Sequence, residues 1–340
     1  MTSERSDAVQ LAIVGTGAIS QVVHVPIFVE RKDVDVVALA DKDPHKARTL
    51  ADRFGVPRVL DWEVIVDDPD IDAIVITTPN HLHEEMCVRA LEAGKHVLVE
   101  RPIASTAKGA AHIIDVAERT GRILMLGMPH RYRPEVSALR SFVAGGELGR
   151  LYSVRGSWMT RPVAVTRPTW RQQRDQAGGG ALIDLGIPAL DLCLWICGFP
   201  KIRWVSCLVN YGDFEVENAA TLLAETEDGI ALTVEVSNQL YSSDDRFHAR
   251  VLGTEGSGVL PPLRVFRQLG GRPLEVTPRQ PVPRGGENPY TNAYRRLLDE
   301  FVRAVQGQAA VPVPREQIEL MRLVEAAYEA AESHQKIELA

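Results

Sequence analysis

The stretch L-A-I-V-G-T-G-A-I-S, residues 11–20, is an apolar strand pattern that ends in a glycine-bearing turn and opens a helix. In a dinucleotide-binding unit the first glycine of such a turn permits the tight bend. The second lets the backbone approach a pyrophosphate that rests on the helix N-terminus. Gly15 and Gly17 take those two places, with Ala18 and Ile19 opening the helix beside them. The third place, where glycine allows close packing of helix on strand, holds Ser20, a small residue that departs from the pattern. A glycine turn alone also fits other α/β proteins. Asp41 narrows the choice, because it follows a second apolar run, residues 34–40, where an acid meets the adenosine ribose hydroxyls. The expected cofactor is NAD rather than NADP, since a carboxylate there accepts from the ribose hydroxyls and repels a 2'-phosphate. Lys42, a cation just past the strand, works against that preference.

Outward from the turn, strand and helix alternate. Residues 18–31 read as a helix; Asp43-Pro44 opens the next, since proline fits a first helical turn, and Gly55-Val56-Pro57 closes it. Residues 71–77 form a β-branched run suited to burial on both sheet faces. Thr78-Pro79-Asn80 breaks that run into a helix over 81–93, ended by Gly94. A strand at 96–99, a helix near 106–120 and a strand at 123–126 follow. This rhythm predicts a doubly wound parallel sheet over residues 1–128. It changes near Pro129, which opens a second domain over 129–340. There 135–144 reads as helix, 151–160 as strand, and strand-like runs continue from Ile202. Asp228-Gly229 marks a hairpin between 219–226 and 230–237 and so predicts antiparallel sheet. In its second strand Ile230, Leu232, Val234 and Val236 face one way, and Ala231, Thr233, Glu235 and Ser237 the other. The segment 278–288, rich in Pro and Gly, interrupts later strands, and helices at 291–305 and 316–333 close the chain.

At 340 residues, with 45 acidic against 38 basic side chains and a formal net charge of -7, the chain has no basic block for a nucleic acid. The first ten residues are polar, and the apolar segment 182–199 carries Asp184, Gly186, Pro188 and Asp191, so neither a signal peptide nor a membrane span is expected, and the expected location is cytoplasmic. The four cysteines lack zinc-site spacing and read as core thiols. His81 and His83 sit two apart on a helix and diverge, so no metal site is expected.

Four stretches together resemble the glucose-fructose oxidoreductase, inositol dehydrogenase and rhizopine-catabolism family, Gfo/Idh/MocA. They are the Gly15 turn, T-T-P-N-H-L-H at 77–83, G-K-H-V-L-V-E-R-P at 94–102 and G-G-G-A-L-I-D-L-G at 178–186. The resemblance runs over nearly the whole chain. It implies an N-terminal Rossmann domain, a C-terminal α+β domain with a large open antiparallel sheet, and a homodimer or homotetramer built on that sheet. It also implies nicotinamide-dependent chemistry on hydroxyls of sugars, cyclitols or related small polyols. Carried over residue by residue, it places Thr78, Pro79, Asn80 and His83 beside the cofactor ribose and pyrophosphate and Glu100 near the nicotinamide ribose. Asn80 after Pro79 also suits a helix N-cap.

Two family positions differ. Glu-Lys-Pro is here Glu100-Arg101-Pro102, and Asp-x-x-x-His is here Asp184 with Pro188. Arginine can orient an oxygen and hold charge near the nicotinamide, but it releases no proton at neutral pH, and proline has no side-chain donor or acceptor. Arg101, Asp184 and His130 are therefore the candidate catalytic residues, with Asp184 open to a second reading as a helix N-cap. Arg131 and Tyr132, after the last Rossmann strand, and Trp170, before the triple glycine, are candidate substrate contacts. Pro188 and Asp191 join them, Asp191 by sharing a helix face with Asp184 one heptad earlier. Two functions fit: an NAD-dependent polyol oxidoreductase with a rearranged proton relay, and a catalytically silent NAD-binding sensor acting through a protein partner.

Overall fold

The β-branched and apolar runs of the N-terminal third pair in parallel, as strands covered on both faces do. They are β1 (Val9–Val14), β2 (Val34–Ala40), β3 (Arg58–Val59), β4 (Ala73–Ile76), β5 (His96–Glu100) and β6 (Leu124–Gly127), in the order β3-β2-β1-β4-β5-β6. The computed structural model describes residues 8–164, 167–280 and 288–339. Connecting helices are α1 (Val25–Val29), α2 (Pro44–Phe54), α3 (Trp62–Asp67), α4 (His83–Glu92) and α5 (Ala107–Thr120). Their ends follow from local chemistry. Asp43 caps α2 by accepting from the His45 and Lys46 amides, Thr106 caps α5 by accepting from Gly109, and Gly55 and Gly121 end these helices in the left-handed region. β3 and α3 add a unit that the sequence expectation passed over.

The second sheet is larger. β7 (Leu151–Met159), β8 (Ile202–Tyr211), β9 (Glu217–Thr226), β10 (Ala231–Ser237), β11 (Arg246–Gly253), β12 (Gly256–Leu260), β13 (Arg264–Leu269), β14 (Arg272–Glu275) and β15 (Ile337–Glu338) form one sheet of nine strands. Its order is β14-β13-β12-β11-β7-β10-β9-β8-β15. With it go α6 (Pro134–Ala144), α7 (Arg174–Ala177) and α8 (Ile187–Cys197). The hairpin at Asp228-Gly229 forms as expected, and β10 alternates as expected, with Leu232, Val234 and Val236 buried. One pairing corrects the antiparallel expectation: β7 and β10 run parallel, Thr233 opposite Arg155. The long helical connection after β7 permits this, since parallel neighbours need a crossover. Of the interrupting segment 278–288, residues 281–287 lie outside the described residues.

Two long helices, α9 (Pro289–Val305) and α10 (Glu316–Ser333), follow. The described chain divides into two compact units, and α9 belongs to the first, which takes in the chain to Pro129 and then Tyr290–Gln317. The expected division at residue 129 therefore needs correcting. The reason is the stripe Ala293, Tyr294, Leu297, Leu298, Phe301 and Val302, buried along α9, flanked by ion pairs of Asp299 with Arg31 and Arg295 with Glu30, each at 2.9 Å.

Both units contain a π-turn, Ser20–His24 ahead of α1 and Leu182–Gly186 ahead of α8. Each is followed two residues later by a proline, Pro26 or Pro188. A proline ring has no N–H to donate and crowds the carbonyl four residues back. Widening the preceding turn relieves both problems. Arg174–Cys197, which includes the second π-turn, is long and apolar enough to cross a membrane by length and composition, but most of it is buried within the second unit.

Candidate active site

The first unit gathers its candidate residues at the carboxyl ends of β1, β2, β4 and β5, around the switch point between β1 and β4 where the strand order reverses. Gly15 has φ +100°, and a Cβ there would lie 2.7 Å from the Thr77 carbonyl oxygen, so no other residue fits. Gly17 differs: a Cβ added to it would meet nothing within 4 Å. Its backbone borders open space, with Ala18 exposed and Ile19 half-buried beside it. Ser20 resolves the departure at the third position. Its hydroxyl, fully buried, donates to the Gly15 carbonyl at 2.7 Å and lies 2.7 Å from the Thr77 hydroxyl, tying helix to turn where glycine would only have made room.

Asp41 is held firmly. Oδ2 accepts from the amide and the hydroxyl of Thr16, both at 2.7 Å, and Oδ1 from the Asp43 amide at 3.0 Å. Burial would raise its pKa, but the Asp43 amide, the two Thr16 donors and the Lys46 charge carry it below the usual carboxylate value. The cation whose charge helps to lower the Asp41 pKa is Lys46, on α2.

Thr78 and Pro79 lead into a 3-10 turn, Asn80–Leu82, and α4 begins only at His83. Asn80 is the buried first residue of that turn, and the cap positions are Pro79 and Leu82, so the N-cap reading of Asn80 does not hold. His83 is wholly buried, with Nδ1 2.7 Å from the Pro102 carbonyl oxygen and Nε2 3.0 Å from that of Thr78. It links the loops after β4 and β5, and burial lowers its pKa despite the two carbonyls.

Glu100 ends β5 in a pocket that Gly127 makes possible, since a Cβ on Gly127 would lie 2.8 Å from the carboxyl group. Oε1 is 2.8 Å from His24 Nε2 and accepts from the Tyr294 hydroxyl at 2.9 Å; Oε2 is 3.1 Å from the same hydroxyl. Burial pushes the Glu100 pKa up, but the His24 hydrogen bond, the Arg101 charge and the Tyr294 hydroxyl bring it below the usual value. Arg101, the next residue, is half-buried. The sequence reading missed His24 and Tyr294. A histidine within the apolar run 22–29 was the only signal for the first, and the second merges with the apolar stripe of α9.

In the second unit the triple glycine is fitted around the Tyr328 side chain and the Glu217 backbone. A Cβ on Gly179 would lie 1.9 Å from the Tyr328 hydroxyl, and one on Gly180 would lie 2.0 Å from the Glu217 carbonyl oxygen. The buried Glu217 carboxylate accepts from the Gly180 and Leu182 amides and from Tyr328, at 2.8 to 3.0 Å. It satisfies the N–H groups that open the π-turn. Asp184 sits inside that turn, not at a cap position, and is the one exposed residue between positions 179 and 194. Asp191 does not share its face. It is 1% exposed and makes a bidentate pair with Arg131, at 2.8 and 2.5 Å. The π-turn spends one more residue per turn than an α-helix, so the heptad spacing slips out of phase. Arg131 also lies over Phe199, 5.2 Å from its centroid.

His130 is 6% exposed, stacked on Phe247 at 5.2 Å and edge-on to Trp158 at 4.8 Å, which places it in an aromatic cluster rather than on a reacting surface. Tyr132 is half-buried in the same 3-10 turn, Pro129–Tyr132. Pro188 is buried in the first turn of α8. Trp170 lies in a 3-10 turn closed by a capping box from Thr169 and Gln172, with the Arg171 guanidinium 4.3 Å from its ring centroid.

Two family models match, an oxidoreductase family with an NAD-binding Rossmann fold over residues 9–128 and the GFO/IDH/MocA C-terminal domain over residues 136–259. The chain belongs to the Gfo/Idh/MocA oxidoreductases. As one of these, it is 28% identical over 365 residues to the D-glucoside 3-dehydrogenase of Escherichia coli (strain K12), covering 98% of each chain. It is also 28% identical over 329 residues to a D-xylose 1-dehydrogenase (NADP(+)) of Haloferax volcanii, covering 96% of this chain and 98% of that one. Among solved structures, GenD2 from gentamicin A biosynthesis in complex with NAD superposes with a TM-score of 0.84 at 26% identity, covering 99% of this chain and 98% of that one. The Gfo/Idh/MocA assignment makes the first unit an NAD-binding one, in keeping with the open backbone at Gly17.

Proposed function

We propose that the chain is an NAD-dependent dehydrogenase acting on a CH–OH centre, or the corresponding carbonyl, of a sugar, cyclitol or related polyol. The glucoside and xylose dehydrogenases among its relatives support that substrate class. The observation that carries the proton-transfer assignment is Asp184, left exposed on a π-turn within an otherwise buried run.

In this reading the first unit, with α9, binds the dinucleotide, and the second binds substrate and supplies the oligomer interface. Gly15, Gly17, Ala18 and Ile19 take the pyrophosphate and Asp41 the adenosine ribose. Thr78, Pro79, Asn80 and His83 line the ribose and pyrophosphate, and Glu100 with Arg101 the nicotinamide end. Bound there, NAD would supply the acceptor for the hydride of the carbon bearing the hydroxyl. Arg101 donates hydrogen bonds to the reacting oxygen and orients it, and the Asp184 carboxylate takes the hydroxyl proton. Tyr132 and Trp170 offer contacts to the sugar, and Pro188 an apolar one. Arg131 and Asp191, already paired, brace α8. All four thiols are free, which suits a reducing, cytoplasmic compartment.

The test is a panel of methyl D-glucosides, D-xylose and myo-inositol with NAD, read by NADH absorbance beside a calorimetric NADH titration. NADH formation supports the dehydrogenase. Tight binding with no turnover on any member favours the sensor.

NAD should bind more tightly than NADP, because the pinned Asp41 carboxylate meets the ribose where a 2'-phosphate would stand. Asp41→Ser should weaken NADH and strengthen NADPH, each by about tenfold, in calorimetric titrations. Equal or tighter NADPH binding by the unmodified protein overturns the assignment. A homo-oligomer is also expected. Leu208 and Leu223, on β8 and β9, are 68% and 44% exposed. A sheet face carrying such side chains is normally covered in solution. Light scattering should return a multiple of the 37.5 kDa chain mass, and a 37.5 kDa particle at micromolar concentration refutes the expectation.

A further inference from the structure

The Glu100 carboxylate is more elaborately held than a residue facing a ribose requires. Three separated parts of the first unit converge on it: the π-turn through His24, α9 through Tyr294, and β6 through the side-chain-free Gly127. The Tyr294 ring is 1% exposed, meets the His24 ring edge-on at 5.5 Å and abuts Tyr290 at 5.0 Å. Burial and the Glu100 charge raise the Tyr294 pKa well above its ordinary value, so its hydroxyl stays a donor. A carboxylate is an acceptor-only group, and here it faces a phenol hydroxyl and an imidazole nitrogen, with a guanidinium on the next residue.

We propose that His24 and Tyr294 are positioning residues that hold Glu100 as an anion beside Arg101, so that the pair presents little net charge to the nicotinamide and the site accepts NAD+ as well as NADH. The proposal rests on the placement of residues 100 and 101 at the nicotinamide end, argued above. The oxidised nicotinamide ring carries a positive charge and the reduced ring carries none. An unbalanced Arg101 therefore penalises NAD+ alone, whereas loss of a merely structural contact weakens both forms together.

The readout is the ratio of NAD+ to NADH dissociation constants, measured by calorimetry and by NADH fluorescence, without any sugar. Glu100→Gln, which keeps the shape, should raise that ratio about tenfold, as expected for one charge at short range in a partly buried site. Glu100→Asp, which keeps the charge, should restore most of it. The groups facing Glu100 are His24, His83, Arg101 and Tyr294. Removing the Tyr294 hydroxyl withdraws one influence that lowers the Glu100 pKa, so in Tyr294→Phe the carboxylate protonates at higher pH than in the parent. The ratio should accordingly begin to rise at higher pH in Tyr294→Phe than in the parent. Equal weakening of NAD+ and NADH in Glu100→Gln, no change in either, or the same pH dependence in Tyr294→Phe and parent overturns the proposal. Arg101→Met separates the two levels of argument. If the nicotinamide lies elsewhere, neither Arg101→Met nor Glu100→Gln moves the ratio. If only the charge-balance idea is wrong, Arg101→Met lowers it and Glu100→Gln leaves it in place.

Discussion

Asp184→Asn is expected to lower kcat for sugar oxidation by roughly a hundredfold to ten-thousandfold, the usual cost of removing a positioned general acid or base, while NADH affinity stays within about twofold. The structure narrows the candidates for this role by elimination among the neighbours in the same unit. His130 is packed between Phe247 and Trp158, and Asp191 spends both oxygens on Arg131. Asp184 alone is presented outward, on a turn whose amides are fixed by Glu217. Because it fills no cap position, its replacement by the isosteric amide should leave stability nearly unchanged. Unfolding midpoints equal to the parent's, with steady-state rates from the sugar panel, make the check. If Asp184→Asn keeps kcat within about fivefold, the proton leaves by another group, and Tyr132→Phe is the variant that should then lose activity.

The unmodified protein should turn over simple sugars slowly, at or below the lower edge of the usual range of about 1 to 1000 per second, if Arg101 and Pro188 stand where the resemblance implies two proton-handling residues. Combining Arg101→Lys with Pro188→His should raise turnover on at least one polyol more than either change alone, with about a hundredfold as the lower expectation for the pair. Such residues act as a unit, so a lysine without its partner gains little. The structure adds a condition. Pro188 is buried at the start of α8 and its ring accounts for the π-turn in which Asp184 sits. Pro188→His restores an N–H and removes the crowding of the carbonyl at 184, so that turn can tighten and rotate Asp184. Circular dichroism and a stability curve must therefore accompany the rates. A parent kcat well inside the usual range, or a double variant no faster than the better single one, refutes the relay argument.

Much of the first unit was legible because its signals are local. Gly15, Gly17 and Asp41 declare a dinucleotide turn within thirty residues or so. Asp43-Pro44 and Gly55 delimit α2 by rules acting within a single helical turn. What escaped was set by contacts between distant parts of the chain. Glu100 and Tyr294 are 194 positions apart, and no periodicity links a helix near the end of the chain to the first sheet. The triple glycine was visible as a motif, but its cause was not, since the groups that exclude a Cβ are Tyr328 and Glu217. The spacing of Asp184 and Asp191 misled because heptad arithmetic assumes one residue count per turn, and a proline two residues past a π-turn changes that count. The parallel pairing of β7 and β10 was hidden for another reason: strand pattern reports which face is buried, not which way a neighbour runs.

The return of α9 to the first unit bears on how the protein is made. Residues through Pro129 emerge before the helix that supplies the Tyr294 hydroxyl, which belongs to Tyr290–Gln317. At ordinary rates of chain elongation the intervening stretch takes roughly eight to thirty seconds to synthesise. Throughout that interval the nascent first unit lacks the apolar stripe of α9, and Glu100 lacks one of its donors. The first unit is therefore completed only after residues 130–289 have been made, so its folding waits on the synthesis of most of the second.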